Sequence, residues 1–300
     1  MTLRIVAVGA GRAFERLYVP ALALVPGLAL VAVADPDPLA RARGPAGVRV
    51  NASLEELLGA EPCDGVLLLS PPAFHAPHAA LVLERMCPVL LEKPSALSRA
   101  EIAAWPETWR DLVTPARPRR YWREYLQLRR ELPRAADFEL VLQTSPAAWG
   151  ALTASGPADD LLPHVLDLAG WLARSPVVAI HGKENDTEAS GDFELADGRT
   201  LRWKVAHTDH YHEHVRAGDT LHDLSRPPLG GRIARRLRGR PPRDIEGIAR
   251  MLRLWERRLS GEAVPGLPAF AVALEELTMR DALRSSHSPA GVPSHPDGGH

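Results

Sequence analysis

Leu90-Leu91-Glu92-Lys93-Pro94 places an acid, a base and a proline in succession at the end of an apolar run, Pro88 to Leu91. A strand that ends in charge puts that charge at the edge of its sheet, and in open parallel sheets the carboxyl edge is where ligands bind. Lys93 is one of three lysines, with Lys183 and Lys204, in a chain otherwise rich in arginine. Arginine stays protonated at any working pH, whereas a lysine's charge can be tuned by its surroundings. Taken alone, a salt-bridged loop lysine explains the motif as well. Further along, Asp160 and His164 stand four residues apart and so share one face of a helix. Pro163 between them requires that helix to begin at about Leu161, which makes Asp160 a candidate N-cap. A histidine titrates near neutrality and can move a proton, while a lysine cation can stabilise an oxyanion.

A second group lies at the other end of the chain. Val8-Gly9-Ala10-Gly11-Arg12-Ala13-Phe14 follows an apolar strand and opens a helix, the context in which two glycines bring a dinucleotide pyrophosphate against helix N-terminal amides. Asp35 ends the second strand at the distance where an acid hydrogen-bonds the adenosine ribose. It repels a 2′-phosphate and so favours NAD over NADP, with Arg41 and Arg43 near enough in sequence to oppose that preference. Phe14 stands where a third glycine normally lets helix and strand pack closely, so this helix is expected to sit differently.

These residues need a framework. Three hundred residues fit one large domain or two ordinary ones, and 45% apolar with 24% charged residues is globular. A formal net charge of -1 argues against a protein that coats nucleic acid. The opening MTLRIVAVGAG enters a strand with no signal-peptide pattern, and the longest apolar stretch, Val19 to Ala34, is broken by Pro26-Gly27. A cytoplasmic protein without a membrane segment is expected. Cys63 and Cys87 suit reduced thiols.

Strands at Leu3–Val8, Leu28–Ala34, Gly65–Leu69 and Val89–Leu91 alternate with helices at Ala13–Val25, Ser53–Leu58 and Pro77–Arg85, which reads as a doubly wound parallel sheet. The pattern then changes. An arginine-rich amphipathic stretch, Arg119 to Leu132, leads to strands at Phe138–Thr144, Val177–His181, Gly191–Leu195 and Leu201–His207, with helices at Asp160–Ala173, Asp244–Leu259 and Ala269–Arg284. The expected organisation is a Rossmann domain over residues 1–118, an α+β domain with a mostly antiparallel sheet over 119–286, and a disordered tail over 287–300.

With the glycine turn, the run Ser70-Pro71-Pro72-Ala73-Phe74-His75 and Glu92-Lys93-Pro94 in this order, the chain resembles the Gfo/Idh/MocA family of oxidoreductases. The resemblance extends to Asp160, His164, Asp167 and Leu168 and to the closing helices. It departs at Leu162, where the family usually has glycine, and this puts the substrate class in doubt. The resemblance implies that Lys93 reaches the substrate beside the nicotinamide and that Ser70, Pro71, His75 and Glu92 adjoin the cofactor, with Gly9, Gly11, Arg12, Ala13, Phe14 and Asp35. It implies a hydride transfer between NAD or NADP and the hydroxyl or carbonyl carbon of a sugar, cyclitol or related small polar metabolite. His164 is then the general acid/base, Lys93 stabilises the alkoxide, and Asp160 orients His164 or a substrate hydroxyl. Tyr121 and Arg123 lie where the family begins its substrate domain and are candidate substrate contacts. Three other readings stay open: a cofactor-binding regulator without turnover, glycoside cleavage through transient oxidation with retained NAD, and imine reduction in biosynthesis.

Two features point elsewhere. His210, His212 and His214 alternate, so on one strand they share a face as metal ligands can, but no carboxylate or cysteine completes a set and no metal is expected. The basic stretch 226–243 lacks aromatic residues for stacking on bases and reads as a surface loop. An exposed face on the second sheet favours a dimer or tetramer of this chain.

Overall fold

Short apolar runs build the first sheet. In a computed structural model, described for residues 2–145, 156–225 and 239–286, β1 (Leu3–Val8), β2 (Leu28–Ala34), β3 (Arg49–Asn51), β4 (Gly65–Leu68), β5 (Val89–Leu91) and β6 (Val113–Pro115) pair in the order β3-β2-β1-β4-β5-β6. Every pairing is parallel. The strand order reverses between β1 and β4, so a crevice opens beyond the ends of these two strands, flanked by the ends of β2 and β5.

Short helices connect the strands: α1 (Val19–Leu22), α2 (Pro38–Arg41), α3 (Leu54–Ala60), α4 (His75–Leu83), α5 (Arg99–Ala103) and α6 (Glu107–Arg110). The first crossover departs from the plain helix expected at Ala13–Val25. Phe14–Tyr18 is a π-helical turn that runs into α1, and both Phe14 and Tyr18 are fully buried. A phenyl ring where glycine would allow close packing needs room between helix and sheet, and a wider turn provides it. For α3, Ser53 Oγ accepts from Glu56 N while Glu56 Oε2 accepts from Ala52 N, a reciprocal cap that fixes its start.

A turn at Pro118–Tyr121 and α7 (Arg123–Glu131) lead into the second sheet. Its strands β7 (Phe138–Thr144), β8 (Val177–Glu184), β9 (Glu188–Leu195), β10 (Thr200–His207), β11 (His212–Ala217) and β12 (Thr220–Asp223) lie in the order β12-β11-β7-β10-β9-β8. All neighbours are antiparallel except β7 and β10. One face is apolar and packs on α8 (Pro157–Ala173), with Leu140, Leu142, Phe193, Trp203 and Val205 against Leu161, Val165 and Leu172. The alternate positions Glu139, Arg202 and Lys204 leave the other face polar.

The closing helices, expected with the second half, return to the first sheet. α9 (Arg243–Leu259) places Ile248, Leu252 and Trp255 at helical spacing against Ile5, Ala7 and Leu67. α10 (Ala271–Ser285) buries Ala273 and Leu277 on the opposite face of that sheet, while its Met279 and Leu283 reach the core of the second. The chain end therefore ties the two sheets together. Among the described residues no helix is long and apolar enough to cross a membrane. Cys63 and Cys87 are free thiols with sulfurs 3.8 Å apart. The tail 287–300 and most of the basic stretch, residues 226–238, lie outside the described residues.

Candidate active site

The glycine turn is shaped by close approach. Gly9 has φ +95°, and a Cβ there would meet the Leu69 carbonyl and Ser70 N at 2.7 Å, so only glycine fits where β1 passes the end of β4. At Gly11 a Cβ would meet nothing within 4 Å, so this side of the turn is open to an approaching group. Ala10 N donates to Asp35 Oδ2 at 2.7 Å and Asp37 N to Asp35 Oδ1 at 2.9 Å. The Asp35 carboxylate thus fixes the turn to the end of β2. Arg41 Nη1 donates to the Asp35 and Pro36 carbonyls, on the same edge. Arg12 is exposed at the mouth of the turn, Ala13 half-buried, and the Phe14 ring lies in the core away from it. An open turn with an acid at the neighbouring strand end fits a dinucleotide.

Lys93 projects from the end of β5 across to α8. Its Nζ donates to Asp160 Oδ1 at 2.7 Å and to the Asp160 carbonyl at 2.9 Å. The two side chains are 21% and 24% exposed, so the pair is mostly shielded from water. Burial raises the Asp160 pKa, but the Lys93 ammonium, its hydrogen bond and His207 outweigh it, and the net value is lowered. α8 begins at Pro157 rather than near Leu161, with Gly156 as its N-cap, so Asp160 is in the first turn and is not the cap. Pro157 accounts for the difference, because proline is favoured at the start of a helix. Pro163 lies inside the helix, where it has no N–H to give to the Asp159 carbonyl.

His164 is one turn further along α8 and half-buried. Its pKa is held well below the ordinary value, by burial first and then by Arg119, Lys93 and Arg117. At neutral pH the ring is uncharged and can accept a proton. His207, which the sequence reading placed only as the end of a strand, belongs to the same group: its Nε2 lies 3.5 Å from Asp160 Oδ2 and is buried. Its signal is positional, since it ends β10 as Lys93 follows β5.

Other residues hold the loops. Both ring nitrogens of the buried His75 face carbonyls, Pro94 O and Ser70 O, each at 2.6 Å, so the ring clamps the β4 loop to the Lys93-Pro94 loop. Burial lowers its pKa more than the two carbonyls raise it. Ser70 is buried with Oγ 3.2 Å from His78 Nδ1, and Pro71 is exposed. Glu92 accepts from Tyr18 OH at 2.5 Å and from Lys93 N at 3.0 Å, which sets the exit angle of the lysine loop. Asp167 is clasped through both oxygens by Arg120, and Arg117 bridges it to Glu276 on α10.

Two candidate substrate contacts are engaged elsewhere. Tyr121 is buried, with its hydroxyl on the Gly266 carbonyl at 2.7 Å, and burial pushes its pKa up. Arg123 pairs with Glu246 of α9 at 2.9 Å. His212 and His214 share a face of β11 with ring nitrogens 2.9 Å apart, whereas His210 precedes the strand. Among the described residues no group of three metal-ligating side chains converges.

These elements define a class: a doubly wound Rossmann sheet with a dinucleotide-type turn, met by an α+β unit whose Asp160 contacts Lys93 and His207 and whose His164 feels the Lys93 charge. Residues 3–111 match the model of the Gfo/Idh/MocA oxidoreductases, described as an oxidoreductase family with an NAD-binding Rossmann fold. Over 203 residues, 59% of this chain and 55% of the relative, the sequence is 29% identical to the D-glucoside 3-dehydrogenase of Escherichia coli (strain K12). Over 193 residues, 61% and 57% of the two chains, it is 28% identical to inositol 2-dehydrogenase 4 of Saccharopolyspora erythraea. The chain thus spans little more than half the length of these relatives. The crystal structure of a myo-inositol dehydrogenase from Corynebacterium glutamicum shares its fold at a TM-score of 0.76, covering 97% of this chain and 100% of that one at 19% identity. Residues 3–111 are thus similar to the NAD-binding domain of that family, and the whole chain shares the fold of the dehydrogenase structure.

Proposed function

We propose that this protein is an NAD(P)-dependent dehydrogenase acting on a CH–OH group of a sugar or cyclitol, with NAD the favoured cofactor. The observation that carries the reading is the 2.7 Å contact of Lys93 Nζ with Asp160 Oδ1, which joins the loop beyond the glycine turn to the helix that bears a neutral His164. Gly9, Gly11 and the exposed Arg12 would hold the pyrophosphate, and Asp35 the adenosine ribose. The bound nicotinamide supplies the acceptor for the hydride.

The chain's own residues handle the proton and the charge. A substrate hydroxyl held between Lys93 and His164 loses its proton to the uncharged imidazole, and the Lys93 ammonium stabilises the negative charge growing on that oxygen. Asp160 holds the ammonium through its carboxylate and its carbonyl, so the cation is positioned before substrate arrives. In the reverse direction the protonated ring returns its proton to a carbonyl oxygen. A hydroxyl-rich substrate suits Lys93, Asp160 and His164, which between them can donate and accept hydrogen bonds. The E. coli and S. erythraea relatives, named for a glucoside and an inositol, support this substrate class.

The test is a panel of cyclitols, glucosides and aldoses with NAD and NADP, followed by the absorbance of the reduced nicotinamide. Turnover with at least one cyclic polyol is expected, lost in Lys93→Met while NADH affinity is retained. NADH binding with no turnover across the panel, or full turnover in Lys93→Met, would refute the assignment.

A further inference from the structure

The arginine-rich stretch that follows the Rossmann domain has a structural outcome the Lys93 cleft does not use. α7, the C-terminal end of α8 and α9 surround a cavity of about 660 Å³ lined by Arg123, Arg129, Arg130, Arg174 and Arg250, with Trp171 in its wall. No carboxylate among the described residues lines it. Glu246 bonds Arg123 at 2.9 Å and Arg250 at 2.6 Å, and Glu124 also acts on Arg250, so the positive charge is only partly offset. The Arg129 guanidinium lies 4.4 Å over the Trp171 ring, and its Nη1 is buried without a hydrogen-bond partner. Arg174 sends its guanidinium to the Arg129 and Leu132 carbonyls, and exposed Arg130 makes no hydrogen bond or ion pair among the described residues.

Burial lowers the pKa of Arg129 and neighbouring Arg174, Arg120 and Arg134 add to it. Burial also comes first for Arg250, where Arg123 and Arg253 act in the same direction and Glu246 opposes them. Guanidinium groups that repel one another around an open cavity, with a buried N–H left unpaired, form an arrangement that an anion would stabilise.

We propose that this cavity binds a phosphate-bearing small molecule at a site separate from the Lys93 cleft. Trp171 follows Asp160 by eleven residues on the same helix, about 16 Å along its axis. A tetrahedral phosphate suits the cavity better than a planar carboxylate. The arginines approach from three helices, and phosphate presents oxygens in several directions for their forks while carrying more charge in the same volume.

The test is calorimetric titration of the full chain with inorganic pyrophosphate at fixed ionic strength. Saturating NADH is present, because the glycine turn would otherwise take the same probe. Saturable binding is expected, weakened about tenfold by Arg130→Gln and by Arg129→Gln, the loss of one charge-assisted contact each. Lys93→Met should leave it unchanged. Citrate, titrated in parallel, should bind about tenfold more weakly than pyrophosphate, since its carboxylates are planar. The proposal is overturned if no saturable binding appears below about 10 mM, if both arginine variants bind like the parent chain, or if citrate binds as tightly. Should Arg129→Gln fail to fold, exposed Arg130→Gln decides alone. If NADH itself does not bind, the dinucleotide reading fails, and the arginine variants still report on this cavity without it.

Discussion

Lys93→Met keeps an unbranched apolar stem of similar reach while removing the ammonium, so it chiefly reports what that charge does. Exposed ion pairs are worth about 0–1 kcal/mol, and removing one partner of a fully buried pair costs about 3–5 kcal/mol. The Lys93–Asp160 pair is three-quarters buried, with two bonds at 2.7 and 2.9 Å, and falls between these limits. A double-mutant cycle with Asp160→Asn should give a coupling of about 1–3 kcal/mol at neutral pH. The pH dependence follows from the lowered pKa of Asp160. A carboxylate depressed in the folded state contributes stability above its unfolded value, near ~3.9, and loses it as pH falls through the folded value. In Lys93→Met burial is opposed only by His207, so the Asp160 pKa rises and the variant recovers relative stability as the carboxyl protonates. The gap between parent and variant should therefore be widest at about pH 7, narrow toward about pH 4 and close only below it. Urea unfolding of the four proteins across that range measures it. A coupling below about 0.3 kcal/mol, or one constant with pH, refutes the reasoning.

Two further outcomes follow. Gly9→Ala forces a Cβ to within 2.7 Å of the Leu69 carbonyl at a φ of +95°, so it should cost roughly 2 kcal/mol or more and abolish NADH binding by fluorescence titration. An alanine variant that binds like the parent chain would remove the turn from the cofactor site. His164, His75, His78 and His214 are each depressed, burial being the first cause in every case. The folded chain then binds fewer protons than the unfolded one below the ordinary histidine value, so stability falls as pH drops from about 6.5. His164→Asn should flatten that slope in thermal unfolding, and an unchanged slope would mean its ring is not held neutral.

The first sheet was legible because its central strands are continuous apolar runs and its helices separate them at crossover length. Its edges were not. β3 has three residues, two of them Arg49 and Asn51, and β6 ends in Pro115, so neither shows a pattern that survives apart from its neighbour. The second sheet was legible where residues alternate, as along Phe138–Thr144 and Leu201–His207. The start of α8 lies three residues before the expected Asp160, at a proline rather than after one. Proline is favoured at a helix start, so Pro157 opens α8, while Pro163 is carried inside it. Lys93, Asp160 and His164 are the candidates that type, spacing and the resemblance to the Gfo/Idh/MocA motifs single out, and the structure pairs Lys93 with Asp160. His207 could not be found that way, since its proximity to Asp160 depends on how β10 lies against α8.

Spacing along α8 explains why the site's electrostatics and the domain joint are one structure. Asp160, His164 and Asp167 are separated by four and three residues, so they fall on one stripe of the helix to within about 40–60°. That stripe is met by cations: Lys93 on Asp160, and Arg120 and Arg117 on Asp167. Each carboxylate is neutralised locally, but His164 between them has no carboxylate of its own and feels Arg119, Lys93 and Arg117 together. Burial lowers its pKa first, and two of the cations that hold α8 against the first sheet, Lys93 and Arg117, lower it further. A substitution that weakens the clamp, such as one at Arg117, should make His164 easier to protonate and at the same time loosen the helix that presents it. Lys93 and Arg117 thus act on both base strength and helix position, while burial and Arg119 act on the base alone.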